Sequence, residues 1–208
     1  MSRSGRIKEM VVTAIFAAII ILFAFTPLGF VPIGPINATT VHIPVIIGSI
    51  LLGPKRGALL GLVFGLSSLF HSTVAPTVLG FVFSPFVPVI GTTHGSLWAL
   101  VIALLPRIIL GILPYYLYKV GEKLWHKKGQ FFNLFTSALL AAFCHTLMVT
   151  GLIDTIFSKQ YAQAIGHSAK TINQVVLGII FTSGVSEAIL AGVVTAAITG
   201  ILMKVLRK

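Results

Sequence analysis

The chain of 208 residues has only four acidic side chains and one cysteine, and charged residues of either sign make up just 9% of it. The single cysteine, Cys144, lies in the apolar run "SALLAAFCHTLMVTGL" with no CxxC spacing beside it, so neither a disulfide framework nor a cysteine-based metal site is indicated. So few acids leave no paired carboxylate motif of a prenyl or phosphatidyl transferase. HExxH and a nucleophile elbow are missing too, which argues against an enzyme. No GxxxxGK[ST] loop occurs, so any ATP hydrolysis linked to this chain belongs to partner subunits. The internal repeats of a self-sufficient secondary transporter are not visible, although that class stays open as the alternative. No polar face recurs along several segments, as a channel would require.

What is present is hydrocarbon. Hydrophobic residues make up 56% of the chain and the mean hydropathy is +1.03, far outside the range of soluble domains and indicative of an integral membrane protein in a bilayer. The formal net charge of +11 comes from residues at the ends of apolar runs, not from a stripe, so it reads as membrane orientation and not as a nucleic-acid surface. The first run, "MVVTAIFAAIIILFAF", follows "SRSGRIKE" in the manner of a signal peptide. No A-x-A cleavage pattern follows, and a retained first helix is expected.

Apolar runs predict a single all-α membrane domain, residues 1–208, with six transmembrane helices near 10–26, 41–53, 57–71, 96–118, 131–154 and 173–203. The second and third are short and joined through Gly53, Pro54 and Gly57, which suggests a hairpin entering the bilayer from one side. The uncharged stretch from Ser72 to Gly95 is broken by Pro76, Pro85 and Pro88 and reads as a loop. With that loop outside, Arg3, Arg6, Lys8, Lys55, Arg56, Lys119, Lys123, Lys127, Lys128, Lys204, Arg207 and Lys208 fall on one face. Only Lys159 and Lys170 fall on the other, so the positive-inside rule puts both termini in the cytoplasm. The loop after the first helix, "PLGFVPIGPINATTVH", carries three prolines and ends in the polar cluster Asn37, Thr39, Thr40 and His42. Two apolar, proline-rich loops on the outer side are expected to cap a pocket, because irregular backbone at membrane depth must be buried in protein or line a cavity.

Small residues recur every fourth position at Gly184, Ala188, Gly192, Ala196 and Gly200, and again at Gly57, Gly61 and Gly65, spacings that let helices approach closely. The first helix has a shorter version in Ala14, Ala17 and Ala18. Three titratable groups fall in a similar layer: Arg107 roughly 16 Å from the outer end of its helix, Glu187 roughly 21 Å and His145 roughly 14 Å at 1.5 Å per residue. A charge at that depth costs about 2.5–3.5 kcal/mol on insertion scales. Either Arg107 and Glu187 neutralise each other, or Arg107 presents its guanidinium fork to a carboxylate of a small solute, and a ligand completing a partly satisfied network reconciles both. Pro106 frees a backbone carbonyl beside the arginine. Thr146 and Thr150 add hydroxyls near His145, while Phe64, Phe70, Phe81, Phe83 and Phe86 are able to supply apolar walls.

The run "TTVHIPVIIGSILLGPKRGALLGLVFGLSSL", from Thr39 to Leu69, resembles the signature of the substrate-binding S components of energy-coupling factor (ECF) vitamin transporters. The length, the six-helix plan and the alanine-bearing first helix agree over essentially the whole chain. The resemblance implies a multi-pass subunit of the bacterial cytoplasmic membrane that binds a vitamin outside, without a metal or cofactor of its own. It also implies partners: a membrane coupling subunit and two ATP-binding subunits that use the ATP, with release by toppling in the bilayer. In that family small residues of the first helix contact the coupling subunit, which selects Ala14, Ala17 and Ala18. The chain is most similar to the group containing pantothenate and pyrimidine or pyridoxine carriers. Pantothenate ranks first because it is an anion and Arg107 is the buried cation able to meet it. Full neutralisation by Glu187 would favour pyridoxine or hydroxymethylpyrimidine. Carried over, the family's site selects Asn37 and Thr39 as lid donors, Arg107, His145 and Thr146 as core contacts, and Asn173, Ser183 and Glu187 from the last helix.

Overall fold

The computed structural model describes residues 3–33, 36–125, 129–164, 177–178 and 180–206. Its elements run α1 (Arg3–Ala24), β1 (Phe30–Ile33), β2 (Ile36–Thr39), α2 (His42–Leu52), α3 (Pro54–Val74), α4 (Trp98–Trp125), α5 (Gln130–Ala164) and α6 (Val185–Leu206). A π-helical turn, Ile180–Gly184, leads into α6. Among the described residues six long helices form, as expected, and of these only α1, α3, α4, α5 and α6 are long and apolar enough to cross a membrane. With 11 residues, α2 spans about 16 Å, roughly half of a hydrocarbon core of ~30 Å.

Several expected boundaries are corrected. The third segment is not short: α3 has 21 residues and runs to Val74, past the expected end at His71. Gly57 is not part of the turn, because the α2–α3 connection is Gly53 alone, at φ +87°, a conformation glycine adopts without a Cβ penalty. Pro54 then starts α3, where its missing N–H costs nothing. The segment after α1 is not irregular throughout. It forms a two-stranded antiparallel hairpin with Phe30 opposite Thr39 and Pro32 opposite Asn37, closed at its base by Thr40 N–H to Gly29 O at 3.0 Å. The fourth helix continues to Trp125, so Lys119 and Lys123 lie on it. The fifth does not stop at Asp154 but continues to Ala164, bending at Phe157 (φ −124°, ψ 22°). Much of the expected beginning of the last helix, Asn173 included, lies outside the described residues.

The core explains why α2 is apolar all round. It is surrounded, with every residue from His42 through Ile50 buried, and it packs on α1, α3, α4 and α6. A helix without a lipid or water face shows no amphipathic stripe. The glycines of α3 face α4. A Cβ at Gly57, Gly61 or Gly65 would collide with the backbone at Gly111, Arg107 or Ala103, so this small-residue row is internal packing that fixes the height of Arg107 against α3. The row on α6 is used in part: Gly184 meets Thr146 and Gly192 meets Phe135 on α5, whereas Gly200 faces open space.

The proline-broken stretch between α3 and α4 is a loop, as expected, containing one short 3₁₀ turn, Gly80–Val82. It is well packed: Phe81 and Val82 are buried in a cluster with Ile153, Phe157 and Tyr161 from the outer part of α5, and Phe81 meets Phe157 edge-on at 5.6 Å. Thr73 and Ser84 share a 2.7 Å hydrogen bond between α3 and the loop. The unexpected extension of α5 thus gives this loop a platform. At the basic end of the bundle, Arg56 pairs with Glu9, tying α3 to α1.

Candidate substrate site

Two adjoining cavities of about 270 and 180 Å³ lie beneath the hairpin and the long loop. They share Thr39, Phe64, Phe83 and Arg107 as lining residues. Arg107 stands at their junction and is 6% exposed.

Its placement begins with Pro106. A proline inside a helix cannot donate to the carbonyl four residues back, which here is that of Ile102, and Arg107 Nη1 donates to that same oxygen. The guanidinium is flanked by two rings, 4.9 Å from the centre of Phe83 and 5.6 Å from that of Phe64. Such contacts are favourable when desolvated. Arg107 Nε is buried without a hydrogen-bond partner among the described residues, a costly condition for a charged donor.

Glu187 lies in the first turn of α6. Its Oε1 accepts from the backbone N–H of Thr39 at 3.1 Å, with the Thr39 hydroxyl at 3.5 Å. The hairpin is therefore anchored to α6 at the cavity. No ion pair between Arg107 and Glu187 occurs among the described residues. Of the two alternatives open in the sequence, direct neutralisation is not the arrangement adopted.

His145 on α5 and His42, the first residue of α2, lie nearly parallel with centroids 6.5 Å apart, and His145 also meets Phe64 at 6.1 Å. Nε2 of each imidazole is buried and has no partner among the described residues. The smaller cavity is completed by Thr146, Val149 and Thr150. The hydroxyls of Thr146 and Thr150 donate to carbonyls one turn back, at 3.3 and 2.8 Å, and keep their lone pairs available. The larger cavity takes Ser67, Ser68, His71 and Ser72 from α3.

Of the residues selected from the sequence, Thr39, Arg107, His145, Thr146 and Glu187 come together around the smaller cavity. Ser183 sits in the π-helical turn and lines neither cavity. Asn37 is placed on β2 opposite Pro32, and Asn173 lies outside the described residues. His42, grouped with the polar end of the loop and also within the expected helix 41–53, is the buried start of α2. The serines of α3 were not singled out. Their signal was the spacing of Ser67, Ser68, His71 and Ser72, which puts four polar side chains on one side of an apolar helix.

An unfilled guanidinium donor, two imidazole nitrogens and one carboxylate stand together within apolar walls, and no group of three His, Cys, Asp or Glu able to hold a metal occurs among the described residues. The chemistry of this cluster suits a small anion with hydroxyl or amide groups. Comparison with known proteins agrees with a binding role. Residues 8–199 match the family model described as the substrate-specific component of ECF transporters. The chain is 38% identical over 205 residues to the pantothenic acid transporter PanT of Lactococcus lactis subsp. cremoris, covering 97% of each chain. It is 27% identical to the pantothenate transporter PanT of Leuconostoc mesenteroides subsp. mesenteroides, covering 97% of this chain and 95% of the relative. Its fold is similar to the crystal structure of an S component for biotin from an ECF-type ABC transporter, with a TM-score of 0.54 at 18% identity over 95% of this chain and 94% of the other. With the family model covering nearly the whole chain and the helical plan shared with a solved S component, the protein belongs to the substrate-specific components of ECF transporters, a family of membrane transport subunits.

Proposed function

We propose that this subunit captures pantothenate on the outer side of the bacterial cytoplasmic membrane and delivers it inward with a membrane coupling subunit and two ATP-binding subunits, which supply the ATP hydrolysis. The observation that carries the cargo assignment is the buried Arg107, whose Nε has no partner among the described residues while Glu187 is engaged by Thr39. A carboxylate entering beside Arg107 completes the guanidinium's hydrogen bonds in a low-dielectric site. Glu187 and the threonine oxygens then accept from the ligand's hydroxyl and amide donors. The names of the two relatives support the same cargo. Pyridoxine and hydroxymethylpyrimidine lose the premise that favoured them, a guanidinium neutralised by Glu187.

The orientation rests on the twelve cations that the order of apolar runs in the sequence assigns to one side, which the positive-inside rule makes cytoplasmic. The cavities lie toward the opposite, outer end. Docking to the coupling subunit is assigned to α1. Ala14 and Ala18 are exposed on it, and Ala17 is half-buried; close approach of a partner helix needs such small residues.

Thermal stabilisation of the ligand-stripped protein against pantothenate, pyridoxine and hydroxymethylpyrimidine tests the cargo. A ligand at 100 times its Kd adds about 2.7 kcal/mol. Stabilisation by pantothenate alone is expected, and stabilisation only by a neutral ring compound would overturn the assignment.

A further inference from the structure

Of the two cavities that meet at Arg107, the smaller carries the imidazoles and Glu187, whereas the larger, of about 270 Å³, is walled by hydroxyls. Among the described residues lining it, Arg107 is the one Lys, Arg, Asp or Glu. Its long wall is the outer part of α3, where positions 64, 67, 68, 71, 72 and 75 recur at the three- and four-residue spacing of a single helix face. Exposure rises along this face: Phe64 and Ser67 are buried, Ser68, His71 and Ser72 half-buried, and Ala75 exposed. The cavity therefore climbs from the guanidinium to an outer mouth.

The polar groups of that wall are not equivalent. The Ser67 hydroxyl donates within its own helix, to Val63 O at 2.8 Å, and the His71 ring leans toward the end of α1, 6.0 Å from that of Phe25. The hydroxyls of Ser68 and Ser72 have no hydrogen-bond partner among the described residues, and their four-residue spacing sets one above the other. The guanidinium of Arg107 packs at the level of the Phe64 ring, 5.6 Å from its centre. Counted from Phe64 at 1.5 Å per residue, Ser68 stands about 6 Å and Ser72 about 12 Å farther out. The chain of pantothenate from its carboxylate carbon to its terminal hydroxyl is a little shorter than three extended residues, about 9–10 Å. With the carboxylate at Arg107, that hydroxyl falls between the two serines.

We propose that Ser68 and Ser72 recognise the terminal hydroxyl of the cargo, so that the vitamin stands along α3 with its carboxylate at Arg107 and its polar tip toward the outer mouth. The inference rests on the pantothenate reading above and adds specificity-determining residues to it. One serine donates to the ligand hydroxyl while the other accepts from it, since a hydroxyl does both. The amide and the secondary hydroxyl stay within reach of Thr39, which lines both cavities. A second anionic group at the tip would meet no cation on this wall, so the site is restricted to monoanions with a neutral, hydroxylated far end.

Calorimetric and stopped-flow titration of the purified full-length subunit with pantothenate, and with the analogue whose terminal hydroxymethyl group is a methyl, tests this. The unaltered protein should bind the analogue about 2- to 10-fold more weakly than pantothenate, the size of effect a neutral hydrogen bond gives. Ser68→Ala with Ser72→Ala should erase that preference by weakening pantothenate alone, while Arg107→Ala should weaken both compounds alike. The melting temperature of the ligand-free double variant should not move, because neither hydroxyl has a partner to lose. Equal affinity for the two compounds in the unaltered protein, or a preference that outlives both serines, would overturn the inference and leave the cargo reading intact. So would an unchanged Kd with kon and koff altered together, which would make the α3 wall an entry path only. No binding of pantothenate by the unaltered protein would overturn both.

Discussion

Arg107 is held in place by its own neighbour in sequence. Pro106 leaves the Ile102 carbonyl without its helical donor, and Arg107 Nη1 supplies one. Pro106→Ala restores an N–H that competes for that oxygen and frees the guanidinium to reorient. The expected result is a pantothenate affinity lowered by several-fold with the fold intact, measured by calorimetric titration beside a circular-dichroism melt. Arg107→Ala removes the charge itself. Hydrogen bonds to charged groups contribute about 1.5–3 kcal/mol, so affinity should fall by roughly 10- to 100-fold. Arg107→Lys keeps the charge but loses the planar fork, and should recover only part of that loss. Glu187 has a different task. Glu187→Gln preserves an acceptor for Thr39 N–H and should leave thermal stability nearly unchanged, whereas Glu187→Ala leaves that amide unanswered and should cost about 1–3 kcal/mol.

At the scale of elements, α3 and α4 approach so closely that side chains are excluded from the contact. Gly61→Leu would drive four carbons into the backbone at Arg107. Overpacking costs about 1–3 kcal/mol, and here it also displaces the arginine, so stability and pantothenate affinity should fall together in a melt and a titration on one sample. The exposed alanine face of α1 behaves oppositely: Ala14→Trp or Ala18→Trp should abolish uptake by cells while leaving binding by the isolated subunit unchanged. Uptake at the unaltered rate would remove the docking role.

The same elements show what a sequence can and cannot convey. Glycine spacing on α3, the apolar loop after it and the depth of Arg107, His145 and Glu187 were readable, because helix rise and the cost of buried charge act locally. The length of α5 was not. Its extension past Asp154 depends on Phe157 and Tyr161 packing against Phe81 and Val82 far away in the chain, and a polar residue at Asp154 reads locally as an end. The hairpin was hidden for a similar reason, since its prolines argue against strands and its anchoring hydrogen bond comes from Glu187, 148 residues away. That distant contact also engages Glu187 away from Arg107, an arrangement that spacing alone leaves open.

At the scale of the whole molecule, among the described residues five helices long enough to cross the membrane pack around α2, which is too short, and two structured connections cover the polar cavities. One end is densely basic; the other carries the site. On the proposed assignment, cargo recognition beneath the hairpin and loop lies apart from the exposed face of α1, and binding and docking should be separable by mutation. The central claim is that a buried guanidinium selects an anionic vitamin. The most direct test is calorimetric titration of the purified subunit with pantothenate and with its neutral alcohol analogue, in which a hydroxymethyl group replaces the carboxylate, each against the unaltered protein and Arg107→Ala. Pantothenate should bind the unaltered protein at least tenfold more tightly than the alcohol, and that preference should vanish in Arg107→Ala. Equal affinity for the two compounds in the unaltered protein, or a preference that survives loss of the arginine, would contradict the account.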